Sequence, residues 1–146
     1  MAYGIKLRDH ATLAQAETAA LERRRSYGWQ GDVLFRVSAV SYAQSDEWGD
    51  YYSSGPVLEI ETHAVSKWTP CGARSPNRRG WIDLRPGHKQ WASRDVVEAL
   101  NQFLARRKGQ IHILERQLSR AREEHDLAYG ALQRNDLKDT LYDDLL

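Results

Sequence analysis

Residues 93–132 read SRDVVEALNQFLARRKGQIHILERQLSRAREEHDLAYGAL, and this stretch decides the fold. Val97, Leu100, Leu104, Arg107, Ile111, Leu114, Leu118, Ala121, His125, Ala128 and Leu132 follow one another at alternating spacings of three and four. That is the seam of one long helix, sustained over about five heptads and interrupted by Arg107 and His125. Ser93 is the expected N-cap, with Asp95 in the first turn near the positive end of the helix dipole. Val96 and Phe103 widen the stripe near its start, where the helix should lie on a sheet. At about 1.5 Å per residue the helix extends past roughly 50 Å, further than a small sheet covers. Its distal half therefore needs another helix, either residues 9–26 or a second subunit. Gly109 and Gly130 each weaken its interior by about 1 kcal/mol relative to alanine, so either is a place where the helix can kink.

Upstream, residues 9–26 are alanine-rich and helical in pattern, with Asp9 as N-cap and Gly28 where a stop is expected. The apolar face is mostly alanine with Leu13 and Leu21, so it buries little area and must lean on something else. Val33 to Val40 is β-prone, with Val37 and Ala39 on one face. Residues 43–56 hold Asp46, Gly49, Asp50 and Gly55-Pro56, the composition of a loop or wide hairpin. Val57 to Thr69 alternates: Val57, Glu59, Glu61 and His63 point one way, Leu58, Ile60 and Thr62 the other. Pro70-Cys71-Gly72 and Pro76-Asn77 mark turns, and Trp81 to Leu84 is a short strand closed by Pro86-Gly87. The pattern predicts an α+β fold: a small antiparallel meander packed by a long, oligomerising C-terminal helix, with an extra N-terminal helix. One domain is expected, divided into the N-terminal helix (1–28), the sheet (29–91), the long helix (92–135) and an acidic tail (136–146).

Composition excludes several classes. The chain of 146 residues is 41% hydrophobic and 28% charged, an ordinary globular balance. No apolar run is long enough to span a membrane, and no basic segment leads into an apolar one as a secretory signal would require. Cys71 is the only cysteine, which rules out an internal disulfide framework and points to a reducing compartment. The formal charge is +1, but it is segregated along the chain: residues 43–71 are acidic, 72–122 basic and 123–146 acidic. Such blocks are either a solvated pattern without function, a site for a small anion, or complementary contacts between subunits. The acidic flanks would repel a nucleic-acid backbone, so a DNA or RNA groove is not expected.

Catalytic and metal readings find no support. The five histidines are scattered, and His112 and His125 lack carboxylate partners at metal-binding spacing. Cys71 beside Arg74 has no legible His–acid relay, and a tolerated turn cysteine explains it as well. Glu59 and Glu61 share a strand face and could pair as acid and base, but the solvated edge of a half-exposed sheet explains them more cheaply. There is no Walker loop, dinucleotide glycine fingerprint or nucleophile elbow. Binding readings do better. Trp81 and Trp91 lie in the basic stretch beside Arg79, Arg85, Lys89 and Arg94. A ring offers a π-face to a base and a guanidinium a fork to its phosphates. The competing role for both tryptophans is to plug the junction between sheet and helix.

Three segments carry a likeness: Trp91-Ala92-Ser93, Ala99 to Lys108 and Gln110 to Leu118. Over roughly residues 78–128 the chain resembles the first family of phage Thoeris anti-defence proteins. The resemblance implies a non-enzymatic sponge that sequesters cyclic ADP-ribose isomers, and in some members cyclic oligonucleotides, in the cytoplasm of the infected bacterium. It implies Trp91 as the stacking ring and Asn101 and Arg106 as readers of polar edges and phosphates. Arg94, Phe103 and Arg120 complete the implied ligand-binding set. It also implies a homo-oligomer, a dimer or hexamer, with no cofactor, no metal and no catalytic residue. The rival expectation is a helical-seam oligomerisation, phage assembly or regulatory protein with no small-molecule ligand.

Overall fold

The computed structural model describes residues 4–53, 55–76, 78 and 80–134. Asn77, Arg79 and the acidic tail 136–146 lie outside them. The fold is α+β, and the chain divides into two compact units, Met1–Ala105 and Arg106–Leu146.

In the first unit the strands that the sequence gathers into one meander are shared among three sheets. β1 (Ile5–Lys6), β2 (Val33–Val40) and β5 (Val57–Ala64) form an antiparallel sheet in the order β1-β5-β2. β3 (Ala43–Ser45) and β4 (Tyr51–Ser53) make the hairpin expected within residues 43–56. β6 (Lys67–Thr69), β7 (Gly72–Arg74) and β8 (Trp81–Asp83) form the second three-stranded antiparallel sheet. The alternation of residues 57–63 is realised: Ile60 pairs with Val37 on one face, Glu61 with Arg36 on the other. The strand stops at Ala64, short of the expected Thr69. Val65 is buried in a different core and donates its N–H to the Asp32 carbonyl, which turns the chain toward the second sheet.

α1 spans Leu13–Ser26, three residues later than Asp9 as N-cap would start it. Asp9 instead sits in a short 3₁₀ turn, Leu7–Asp9. Thr12 is the cap, its hydroxyl accepting the Gln15 N–H at 3.1 Å. Ala16 and Ala20 are fully buried, and their small side chains let α1 sit close on β1 and β5. The α1–sheet contact is fastened by Arg24, which donates Nε to Thr62 Oγ1 at 2.8 Å and Nη2 to the Thr62 carbonyl. α2 spans Val96–Arg134 and remains helical through Gly109 and Gly130. Its cap is Asp95, whose carboxylate accepts the Glu98 N–H at 2.8 Å. Ser93 is not the cap. It is fully buried and exchanges both backbone hydrogen bonds with Phe35, each 2.7 Å long.

Two cores result. The first packs Phe35, Val37 and Ile60 of the sheet against α1 and against Val96, Ala99 and Phe103 of α2. The second gathers Leu34, Val65, Ala73, Ile82, Leu84 and Ala92, with Trp91 against it. The buried stripe of α2 is thus the one that Val96 and Phe103 suggested, while Val97 and Leu104 of the expected seam are more than half exposed. In the second unit Ile111, Leu114, Leu118 and Leu132 are also more than half exposed. No helix among the described residues is long and apolar enough to cross a membrane.

Candidate functional site

Trp68, on the edge strand β6, has its indole N–H tied to Asp32 Oδ2 at 2.8 Å. The ring is 40% exposed, and the Arg94 guanidinium lies over it, 5.1 Å from its centroid. These two residues line a groove of about 470 Å³ with Leu21 and Arg25 of α1 and Val33 and Phe35 of β2. Arg25 is held at the rim by the carbonyls of Trp29 and Gly31. Two acids also line the groove, and both serve the scaffold. Asp32 fixes the Trp68 ring, and Glu17 accepts the Val96 N–H at the start of α2. The groove therefore combines an aromatic ring, one face of which carries the Arg94 guanidinium, with a second guanidinium from Arg25, the residue types that stack a base and pair a phosphate.

A second polar cluster occupies the opposite face of the first sheet, around Trp91. Arg36 and Arg78 lie over the Trp91 ring at 4.7 and 4.1 Å from its centroid, and the His63 ring centre is 4.5 Å away. Arg36 also donates to the Trp91 carbonyl. Glu61 receives the Ser38 hydroxyl at 3.1 Å and lies 3.4 Å from His63 Nε2. The imidazole beside it is the largest cause that lowers the Glu61 pKa, helped by Ser38 and Arg36 against the opposing effect of burial. His63 Nε2 is buried and makes no well-formed hydrogen bond to Glu61. Chemically this is not a nucleophile–imidazole–carboxylate relay, because Glu61 stands between the hydroxyl and the ring. Among the described residues no group of three or more His, Cys, Asp or Glu side chains is placed to hold a metal ion.

Within the first unit, Trp91 and Arg94 of the implied ligand set are not brought together. Trp91 already carries two guanidiniums, so a base reaching its ring would have to displace one. Arg94 belongs to the other face, over Trp68. Phe103 is a core residue of the first unit, and Asn101 is exposed on α2. Arg106 and Arg120 belong to the second unit. Arg106 is partly buried, and that burial, with Arg107 beside it, lowers its pKa. Arg120 pairs with Glu124 one turn on at 3.1 Å, on the exposed helix surface. Trp81, offered for stacking or for core, is a half-exposed strand residue whose N–H bonds Thr69 at 2.7 Å. Sequence reasoning missed Trp68, which has no basic neighbours in the chain except Lys67 and meets Arg94 only through the fold.

No protein-family model, curated protein or solved structure matches the chain.

Proposed function

We propose that this chain is a non-catalytic binding protein that sequesters a small anionic nucleotide in the groove beneath Trp68 and Arg94. The observation that carries the reading is the exposed indole with a guanidinium over it, in a groove sized for one small ligand. The resemblance to the Thoeris anti-defence family supplies the ligand class, a cyclic ADP-ribose isomer or a cyclic oligonucleotide. It also supplies the setting, the cytoplasm of a phage-infected bacterium, and a self-associating chain.

Titration calorimetry against cyclic ADP-ribose isomers and cyclic dinucleotides tests the proposal. Binding is expected, with the nucleotide recovered intact after the protein is denatured. Arg94→Ala removes a charge-assisted contact and should weaken binding by about 10- to 150-fold, the equivalent of roughly 1.5–3 kcal/mol. Trp68→Ala should cost about as much, because stacking of one base is worth roughly 1–3 kcal/mol. Absence of binding, or recovery of linearised nucleotide, overturns the reading. If Arg106→Ala abolishes binding and Trp68→Ala does not, the ligand sits elsewhere and the groove assignment fails. A second reading, an assembly or regulatory protein without a small ligand, is favoured by the exposed apolar residues of α2. It predicts a stable oligomer that no nucleotide perturbs.

A further inference from the structure

Buried polar atoms in folded proteins are nearly all hydrogen-bonded, and each exception calls for a reason. Among the described residues His63 Nε2, Ser75 Oγ and Arg78 Nε are buried without a hydrogen bond. Two of these residues meet at Trp91, whose ring centre lies 4.5 Å from the His63 ring and 4.1 Å from Arg78 Cζ. The third shares a turn with Arg78, since the Ser75 carbonyl accepts the Arg78 N–H at 3.3 Å. Burial alternates through Ala73, Arg74 and Ser75, so the serine faces the second core, against which Trp91 packs. Ser75 is only 6% exposed, and the side chains of that core are apolar and offer its hydroxyl no partner.

Charge decides what such atoms can receive. Arg36 lies over the same ring at 4.7 Å, so two guanidiniums and an imidazole surround one indole. Against them stands Glu61, 3.4 Å from His63 Nε2, and the cations outnumber it. Arg36 is committed to the Trp91 carbonyl. Among the described residues the Arg78 guanidinium has the ring for a neighbour and no acceptor for its Nε. A guanidinium held over an indole is fixed in place, and its fork of N–H groups matches the oxygens of a phosphate. A hydroxyl and an imidazole N–H are further donors of the right kind. We propose that Arg78, Ser75 and His63 form a binding site for a phosphate group, either the free ion or the end of a phosphate ester, with Arg36 adding to its field. Trp91 then supports guanidiniums instead of stacking a base. None of these residues lines the groove beneath Trp68, so the site is separate from it and does not rest on the nucleotide reading.

Titration calorimetry of the full chain with inorganic phosphate and with methyl phosphate tests the site and separates the two sources. Saturable binding of inorganic phosphate alone identifies a free ion, and binding of methyl phosphate identifies the end of an ester. No saturable binding of either probe overturns the proposal. Arg78→Ala should weaken binding by at least about 10-fold, and Arg78→Lys should restore only part of it, because a point charge does not copy the fork. Unchanged binding in Arg78→Ala overturns the site. Ser75→Ala separates binding from folding. It deletes an unpaired buried hydroxyl, so without phosphate the melting temperature should hold or rise, while phosphate affinity falls by about 2- to 10-fold. A lower melting temperature with unchanged affinity means that the hydroxyl serves the fold, and overturns its place in the site. Trp68→Ala should leave phosphate binding intact, and loss of binding there puts the ion in the groove and overturns the proposal. In NMR, phosphate should shift the His63 ring resonances and leave those of the exposed His112 and His125 in place. The reverse pattern counts against it.

Discussion

Asp83 shows how a single residue in this protein carries a pH signature. Its Oδ1 accepts the Arg85 N–H at 2.9 Å, its Oδ2 accepts Arg85 Nη2 at 2.8 Å, and His88 lies 3.4 Å away. The Arg85 side chain is the largest cause holding the Asp83 pKa down at about 2. A carboxyl depressed below its unfolded value, about 3.9, stabilises the fold above that value and loses the contribution as pH falls through about 2. Asp83→Asn should therefore lower the melting temperature slightly at neutral pH, flatten its fall between about pH 4 and pH 2, and converge with the wild type below about pH 2. Carboxyl NMR titration of the wild type should place the Asp83 midpoint near 2. The same scale explains the uneven legibility of the site. Aromatic–arginine proximity along the chain singled out Trp91, and in the fold that ring is filled by Arg36 and Arg78. Trp68 sits on the second sheet and Arg94 follows the Ser93 bridge to Phe35 of the first, so only the fold brings them together, and no spacing rule links residues so far apart in sequence.

At the scale of elements, the second sheet depends on one glycine. A Cβ on Gly72 would stand 2.1 Å from the Ile82 carbonyl and 2.5 Å from the Trp81 indole. The carbonyl belongs to the β7–β8 ladder and cannot step aside without breaking it. Gly72→Ala should cost at least about 1–3 kcal/mol, the usual penalty of overpacking, and lower the melting temperature by several degrees. Gly55→Ala meets nothing within 4 Å and serves as the near-neutral control. Elements with long periodicity were the legible ones: α2 through its spacing, β5 through its alternation. What the pattern did not contain was the choice of face at the start of α2. Both the 96–99–103 and the 97–100–104 stripes are apolar, and only packing on the first sheet selects the former. Short strands such as β6 and β7, three residues each, are too brief to carry a period at all.

For the molecule as a whole, charge is distributed in blocks along the chain, acidic over 43–71, basic over 72–122 and acidic again over 123–146. The first unit holds two separate cores that share one strand, since β2 sends Phe35 into the first and Leu34 into the second. The reciprocal Phe35–Ser93 hydrogen bonds sit where those cores meet, on a serine that water does not reach. Opening either bond separates the chain leading into α2 from β2, the strand both cores share, so neither core survives the event. The amide protons of Phe35 and Ser93 should then exchange with deuterium only through complete unfolding of this unit, at one common rate set by its global stability. The amides of Ala43 and Ser45, at exposed positions of β3, should exchange orders of magnitude sooner. One pair of protons, followed by mass spectrometry or NMR, would thus clock the cooperativity of the whole sheet body.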